Sequence, residues 1–279
     1  MEPSFKTDVP KVNALPLKNI ESINRDVFKR ILVPMLSLND LEALSLQNKK
    51  LKSMVQCFLD EAWKKRRAEI TIGVGSWSSV GVAIKKVPPL PDNIDEILKS
   101  NCPYFEGERV YRTHKLVLMP GGLSINGQAG LMMHLRQENK KGDYSLLWDG
   151  ISQELANKEV ADPYWVLITK KVIPDSPHKS FKKQNELIER FKGYEAPSIL
   201  EAIALVTMDN ECSATKEEFL LPGTFTRCAE KVGAWQVSVG AFSLSGLRVN
   251  NYSGKHHDTG ILAVRRLYTQ DDSSFGLTG

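Results

Sequence analysis

Apolar and polar positions alternate between helical and strand periods along this chain, and the changes of period mark its parts. Residues 1–22 are polar and carry Pro3, Pro10 and Pro16, so they read as a loose arm. From Ile23 to about Ala68 the pattern is helical. Val27, Phe28, Ile31, Leu32 and Met35 share one face, with Asn24 as cap and Pro34 bending or ending that helix. A second helix starts at Ser37 or Asn39, with Leu41, Leu44, Leu51, Met54, Val55, Phe58 and Leu59 as its stripe. It ends in the basic run Lys64, Lys65, Arg66 and Arg67, where cations suit the negative end of the dipole.

Residues 70–102 form a junction rich in Gly, Ser, Val and Pro, with one or two short strands and a short helix in "NIDEILKS". Beyond it, "THKLVLMP" and "YWVLITKKVIP" read as strands. Ser180 caps an amphipathic helix that Gly193 stops. "APSILEAIALVTM", apolar nearly all round, reads as a buried helix with Pro197 near its first position. "AWQVSVGAF" alternates with period two, and "GLRVNNY" and "GILAVRRL" add two more strands. The pattern predicts an α+β protein with a mainly antiparallel sheet: arm 1–22, helical module 23–69, junction 70–102, α+β recognition domain 103–268 and frayed tail 269–279.

The 279 residues fit one or two domains, and 42% apolar with 25% charged residues is ordinary for a globular protein. A net charge of +4, spread along the chain, does not call for nucleic acid. The four cysteines show no Cys-x-x-Cys spacing, and the five histidines give no zinc motif, so thiols are expected reduced and no metal or cofactor is expected. No apolar run reaches the roughly 18 residues of a membrane helix, and the N-terminus lacks a secretory signal pattern. A cytoplasmic protein is expected, or one delivered into a host cell by a route without such a signal.

The stretch "ITIGVGSWSSVGVAIKKV" (70–87) suggests a phosphate loop with its lysine. Against this, Ser78 stands at the third glycine position and Lys85 follows Val80 too closely for a kinase. A Gly-Lys-Ser/Thr triplet is missing, and the stretch does not look like a turn into a helix. The glycines read instead as places where another backbone approaches or a bulge forms.

The segment "INRDVFKRILVPMLSLNDLEALSLQNKKLKSMV" resembles an F-box over about 40 residues. Ile31, Leu32 and Leu36 stand for its first helix, and "NDLEALSLQNKKL" for its second, with Asp40 and Leu41 at the start. Leu51 falls where a tryptophan is usual and Asn24 where proline is usual. The resemblance implies helix-in-groove binding to a Skp-type adaptor of a cullin–RING ubiquitin ligase, through Ile31, Leu32, Leu36, Leu41 and Leu44. The remainder of the chain would then recruit a target protein. Blocks between about 103 and 268, including "TFTRCAEKVGAWQVSVGAFSLSGLRVNNY", resemble an expanded group of uncharacterised proteins of amoeba-associated chlamydiae. That resemblance implies no activity.

The alternatives are an enzyme of unknown chemistry, or an interaction protein without a ligase link. Cys228 beside Arg227, with His178 as a base, would make a thiol nucleophile. Glu201 in its apolar helix could act as an acid or base. Each has a plainer reading: Cys228 as a small core residue, His178 as a solvated loop histidine, and Glu201 as a carboxylate pointing outward at a helix edge or paired with a lysine. Trp165 and Trp235, on strands, read as core residues.

Overall fold

The computed structural model describes residues 49–131, 146–148, 151–212, 220–221, 223–243, 246–250 and 259–267. The first F-box-like helix, the start of the second and the five residues expected to dock an adaptor, Ile31, Leu32, Leu36, Leu41 and Leu44, lie outside the described residues. So do the arm, the tail and His256 and His257. The chain divides into two compact units, 1–69 and 70–279.

In the first unit, helix α1 (Lys49–Ile70, its last residue already in the second unit) carries the basic run at its C-terminal end. Lys64, Lys65 and Arg66 are exposed there, as the sequence suggested. Arg66 pairs with Glu69 at 3.0 Å, one turn on.

The second unit is α+β, built on two mixed, mostly antiparallel sheets. Its elements are β1 (Thr71–Ile72), α2 (Val74–Ser79), α3 (Ile94–Lys99), α4 (Val110–Thr113) and β2 (His114–Met119). Helix α5 begins at residue 125 and is described to 131. Then come β3 (Leu146–Trp148), α6 (Gln153–Asn157), β4 (Tyr164–Thr169), α7 (Phe181–Ile188) and α8 (Ile199–Cys212). The chain closes with β5 (Phe225–Val232), β6 (Trp235–Ser243), β7 (Gly246–Asn250), β8 (Thr259–Gly260) and β9 (Val264–Leu267). One sheet runs β1-β2-β4-β9 and the other β3-β7-β6-β5-β8. The pairs β1–β2, β3–β7 and β5–β8 are parallel.

Helix α8 packs against β1 and β2 of one sheet and β5 and β6 of the other. Its residues Ile203, Ala204, Leu205 and Val206 are wholly buried, which is why its sequence has no polar stripe. The sheets are also joined covalently. "GILAVRRL", expected as one strand, is split: β8 edges one sheet, β9 edges the other, and Ile261, Leu262 and Ala263 cross between them fully buried.

That crossing backbone is satisfied from both sides. Ile261 N–H donates to Ser176 Oγ (3.1 Å), Leu262 N–H to Thr226 Oγ1 (2.8 Å) and Ala263 N–H to Thr169 Oγ1 (3.1 Å). Three buried hydroxyls thus replace a sheet partner, as buried amides require. At the start of the crossing, a Cβ on Gly260 would press on Val172 at 2.7 Å, so only glycine fits.

The glycine stretch also differs from its expectation. The short strand expected there is present, two residues long, but it runs through Gly73 directly into α2. The turn into a helix that the stretch did not resemble is therefore present, and Trp77 anchors it: the indole is buried and donates to Leu118 O at 2.7 Å. No backbone crowds Gly73 or Gly75. The position that does need a bare backbone is Gly240, where a Cβ would collide with the Thr224 carbonyl. Lys85 is exposed, outside any helix or strand.

Candidate functional site

Two of the three sequence candidates, Glu201 and Cys228, are buried in separate settings, and His178 is exposed. Ser198 and Glu201 form a reciprocal cap on α8. Glu201 N–H donates to Ser198 Oγ (3.2 Å), and Ser198 N–H donates to Glu201 Oε2 (2.7 Å). This is the Ser-x-x-Glu capping box, and its spacing stood in the sequence unremarked. The same carboxylate, fully buried, is gripped by Arg266 of β9 through Nε (2.8 Å) and Nη2 (3.1 Å). It also accepts from Tyr164 Oη at 3.0 Å.

Arg266 extends the network to Glu195 at 2.5 Å. Burial works against the guanidinium charge, but Glu201, then Glu195 and Tyr164, hold its pKa above the usual value. Burial raises the Glu195 carboxyl, with Arg266 opposing. Glu201 therefore ties the helix start to the sheet edge. An acid–base catalyst needs a free face toward substrate, and each of its oxygens already accepts two bonds.

Cys228 is wholly buried in β5. Burial, then the carboxylates of Glu230 and Glu201, push its thiol well above the ordinary value. Arg227, the expected activating cation, points elsewhere: its Nη1 donates to Lys179 O (2.6 Å) and Gln184 Oε1 (2.8 Å). Neighbouring strand residues face opposite sides, so the sequence adjacency does not become a contact between thiol and guanidinium. His178 lies in the turn before α7 with φ of 62°.

Around Cys228 the β5–β6 register shifts between Arg227 and Lys231. Gln236 Nε2 fills the gap by donating to the Cys228 (2.9 Å) and Ala229 (2.8 Å) carbonyls. The bulge lets Ala229 N–H reach Pro197 O (2.8 Å) and Glu230 accept from Ile199 N–H (3.0 Å). Burial raises the Glu230 carboxyl. The bulge residues thus hold the start of α8, a structural task.

An open groove among the described residues lies on the Arg227 side of β5. It runs between α7 and the β5–β6 hairpin, with a volume of about 710 Å³. Ser180 Oγ caps α7 by accepting from Lys183 N–H at 3.4 Å, as the sequence predicted. The helix ends at Ile188, a turn earlier than Gly193 suggested. Its groove face carries Phe181, Lys182 and Glu186, and its C-cap Glu189 continues that wall. The hairpin contributes Arg227, Lys231 and Trp235. Burial lowers the Arg227 pKa, so this cation sits partly desolvated in the groove wall.

Trp235 corrects the sequence reading. It begins β6 on the face that includes Val237 and Val239, which are both wholly buried, yet Trp235 is 47% exposed. Period two shows which face a residue takes, not how far along the strand the cover extends. Trp165 does lie in the core, 6% exposed, with its indole donating to Pro88 O at 2.9 Å.

No cluster of His, Cys, Asp or Glu that could hold a metal occurs among the described residues. No helix among them is long and apolar enough to cross a membrane. No protein-family model, curated protein or solved structure matches the chain.

Proposed function

We propose that the chain is an F-box-type adaptor: its N-terminal module docks a Skp-type subunit of a cullin–RING ubiquitin ligase, and its larger unit presents the α7–hairpin groove to a target protein. The observation that carries the recognition half is Trp235, a large aromatic 47% exposed on the wall of an open, charged groove. Exposed aromatics flanked by charges are typical anchors of protein interfaces. What supports the adaptor half is the F-box resemblance of residues 23–69, with Ile31, Leu32, Leu36, Leu41 and Leu44 as the docking set. Thiol and carboxylate catalysis lack comparable support, since Cys228 is sealed and Glu201 is fully bonded.

The test mixes the full-length chain with a purified Skp-type adaptor. Wild type is expected to be retained, and Leu41→Asp combined with Leu44→Asp is expected to abolish retention with an unchanged circular dichroism spectrum. If wild type fails while a known F-box protein binds in the same assay, the adaptor reading falls.

A further inference from the structure

We propose that the groove between α7 and the β5–β6 hairpin binds an extended peptide segment in which an acidic and an apolar side chain, two residues apart, flank a basic one. This rests on the reading of the larger unit as a recognition domain and names the chemistry of what it recognises. The two walls of the groove differ in charge. From the hairpin come Arg227 and Lys231 beside the indole of Trp235, and that wall has no carboxylate among its described lining residues. From α7 and its C-cap come Glu186 and Glu189, with Lys182 nearer the helix start.

An extended chain places alternate side chains on opposite sides. A segment lying along this groove therefore presents residues i and i+2 to one wall and i+1 to the other. Complementarity with the hairpin wall calls for an acid facing Arg227 and Lys231 and an apolar side chain on Trp235. Complementarity with the helix wall calls for a base between them, facing Glu186 or Glu189.

Arg227 is buried behind the hairpin wall, 5% exposed and held by Lys179 O at 2.6 Å and Gln184 Oε1 at 2.8 Å, so it adds positive field while the exposed Lys231 meets the carboxylate. Burial has stripped Arg227 of part of its hydration, which strengthens its attraction for an incoming anion. Trp235 supplies contact area at small cost in side-chain entropy. The opposite charges on the two walls select against purely acidic or purely basic segments, because each meets one wall of like charge.

The experiment selects binders for the full-length chain from a display library of random peptides and measures the affinity of the enriched sequences by fluorescence anisotropy. The expected enrichment is acid–base–apolar at consecutive positions. Trp235→Ala is expected to weaken these peptides by about thirtyfold, the scale of an interface hot spot. Lys231→Glu is expected to weaken them less and to regain binding when the peptide's acid is exchanged for lysine. Glu186→Lys is expected to regain binding when the peptide's base is exchanged for glutamate. Trp235 and Lys231 are both exposed, so their variants retain the fold. Failure to enrich any sequence, enrichment of uniformly basic peptides, or unchanged binding to Trp235→Ala overturns the proposal. Adaptor retention by the same preparation reports separately on the F-box reading: retention without peptide binding sinks only the peptide proposal, and peptide binding without retention sinks only the ligase link.

Discussion

The start of α8 and the groove beside α7 are both rich in charge, yet they are built in opposite ways. At α8, Glu201, Arg266, Glu195 and Tyr164 satisfy one another, and the Glu201 side chain is wholly shut off from solvent. In the groove, Lys182, Lys231, Glu186 and Glu189 line an open wall beside a half-exposed tryptophan. A charge whose bonds are all made inside the protein holds the fold together. Charges of both signs spread around an exposed aromatic offer complementarity to something else.

The largest expected effect breaks the closed side. Arg266→Ala leaves the Glu201 carboxylate buried without its cation, so stability should fall by about 3–5 kcal/mol in urea denaturation. A loss under about 1 kcal/mol would show that the network is only incidental to the fold.

His114 is a second closed group, wholly buried, with its ring 5.8 Å from that of Tyr194 and its Nδ1 2.8 Å from Thr113 Oγ1. Burial depresses its pKa to about 3, a hydrogen bond to the Val110 carbonyl opposes this, and Lys170 adds to it. The unfolded imidazole takes a proton near pH 6.5, and the folded one only near pH 3. The folded state therefore binds fewer protons in that window, and stability should decline as pH falls below 6.5. The loss from this group is about 2 kcal/mol at pH 5. Glu195 and Glu230, with raised pKa values, act in the opposite sense as pH falls. The contribution of His114 is thus read as the difference between wild type and His114→Phe, which should lose the slope. Equal slopes in the two proteins would count against it.

The smallest expected effect lies on the open side. Trp235→Ala should change stability by no more than about 0.5 kcal/mol, as for other exposed positions, although it removes the anchor of the groove. A drop as large as that of Arg266→Ala would place the indole among the core residues and erase the contrast between the two regions.

Much of this architecture was legible from local pattern. β2 and β4 stand where the apolar runs put them, α3 where "NIDEILKS" put it, and Ser180 caps α7. The buried character of α8 followed from its lack of a polar stripe. The capping box at Ser198 and Glu201 was equally available, because its spacing is local. What stayed hidden was every relation between distant residues. The partner of Glu201 is Arg266, which the pattern of "GILAVRRL" presented as one charge in a single strand.

By itself the sequence determined the fold class, most element positions and the cap chemistry, because these depend on contacts within a few residues of chain. Only the tertiary structure decided which side chains meet and where cover ends. It divided one apparent strand between two sheets, turned Arg227 away from Cys228, and left Trp235 open while Val237 and Val239 were buried. The physical reason is that periodicity specifies the side a residue faces, whereas burial and pairing depend on what the rest of the chain brings to that side.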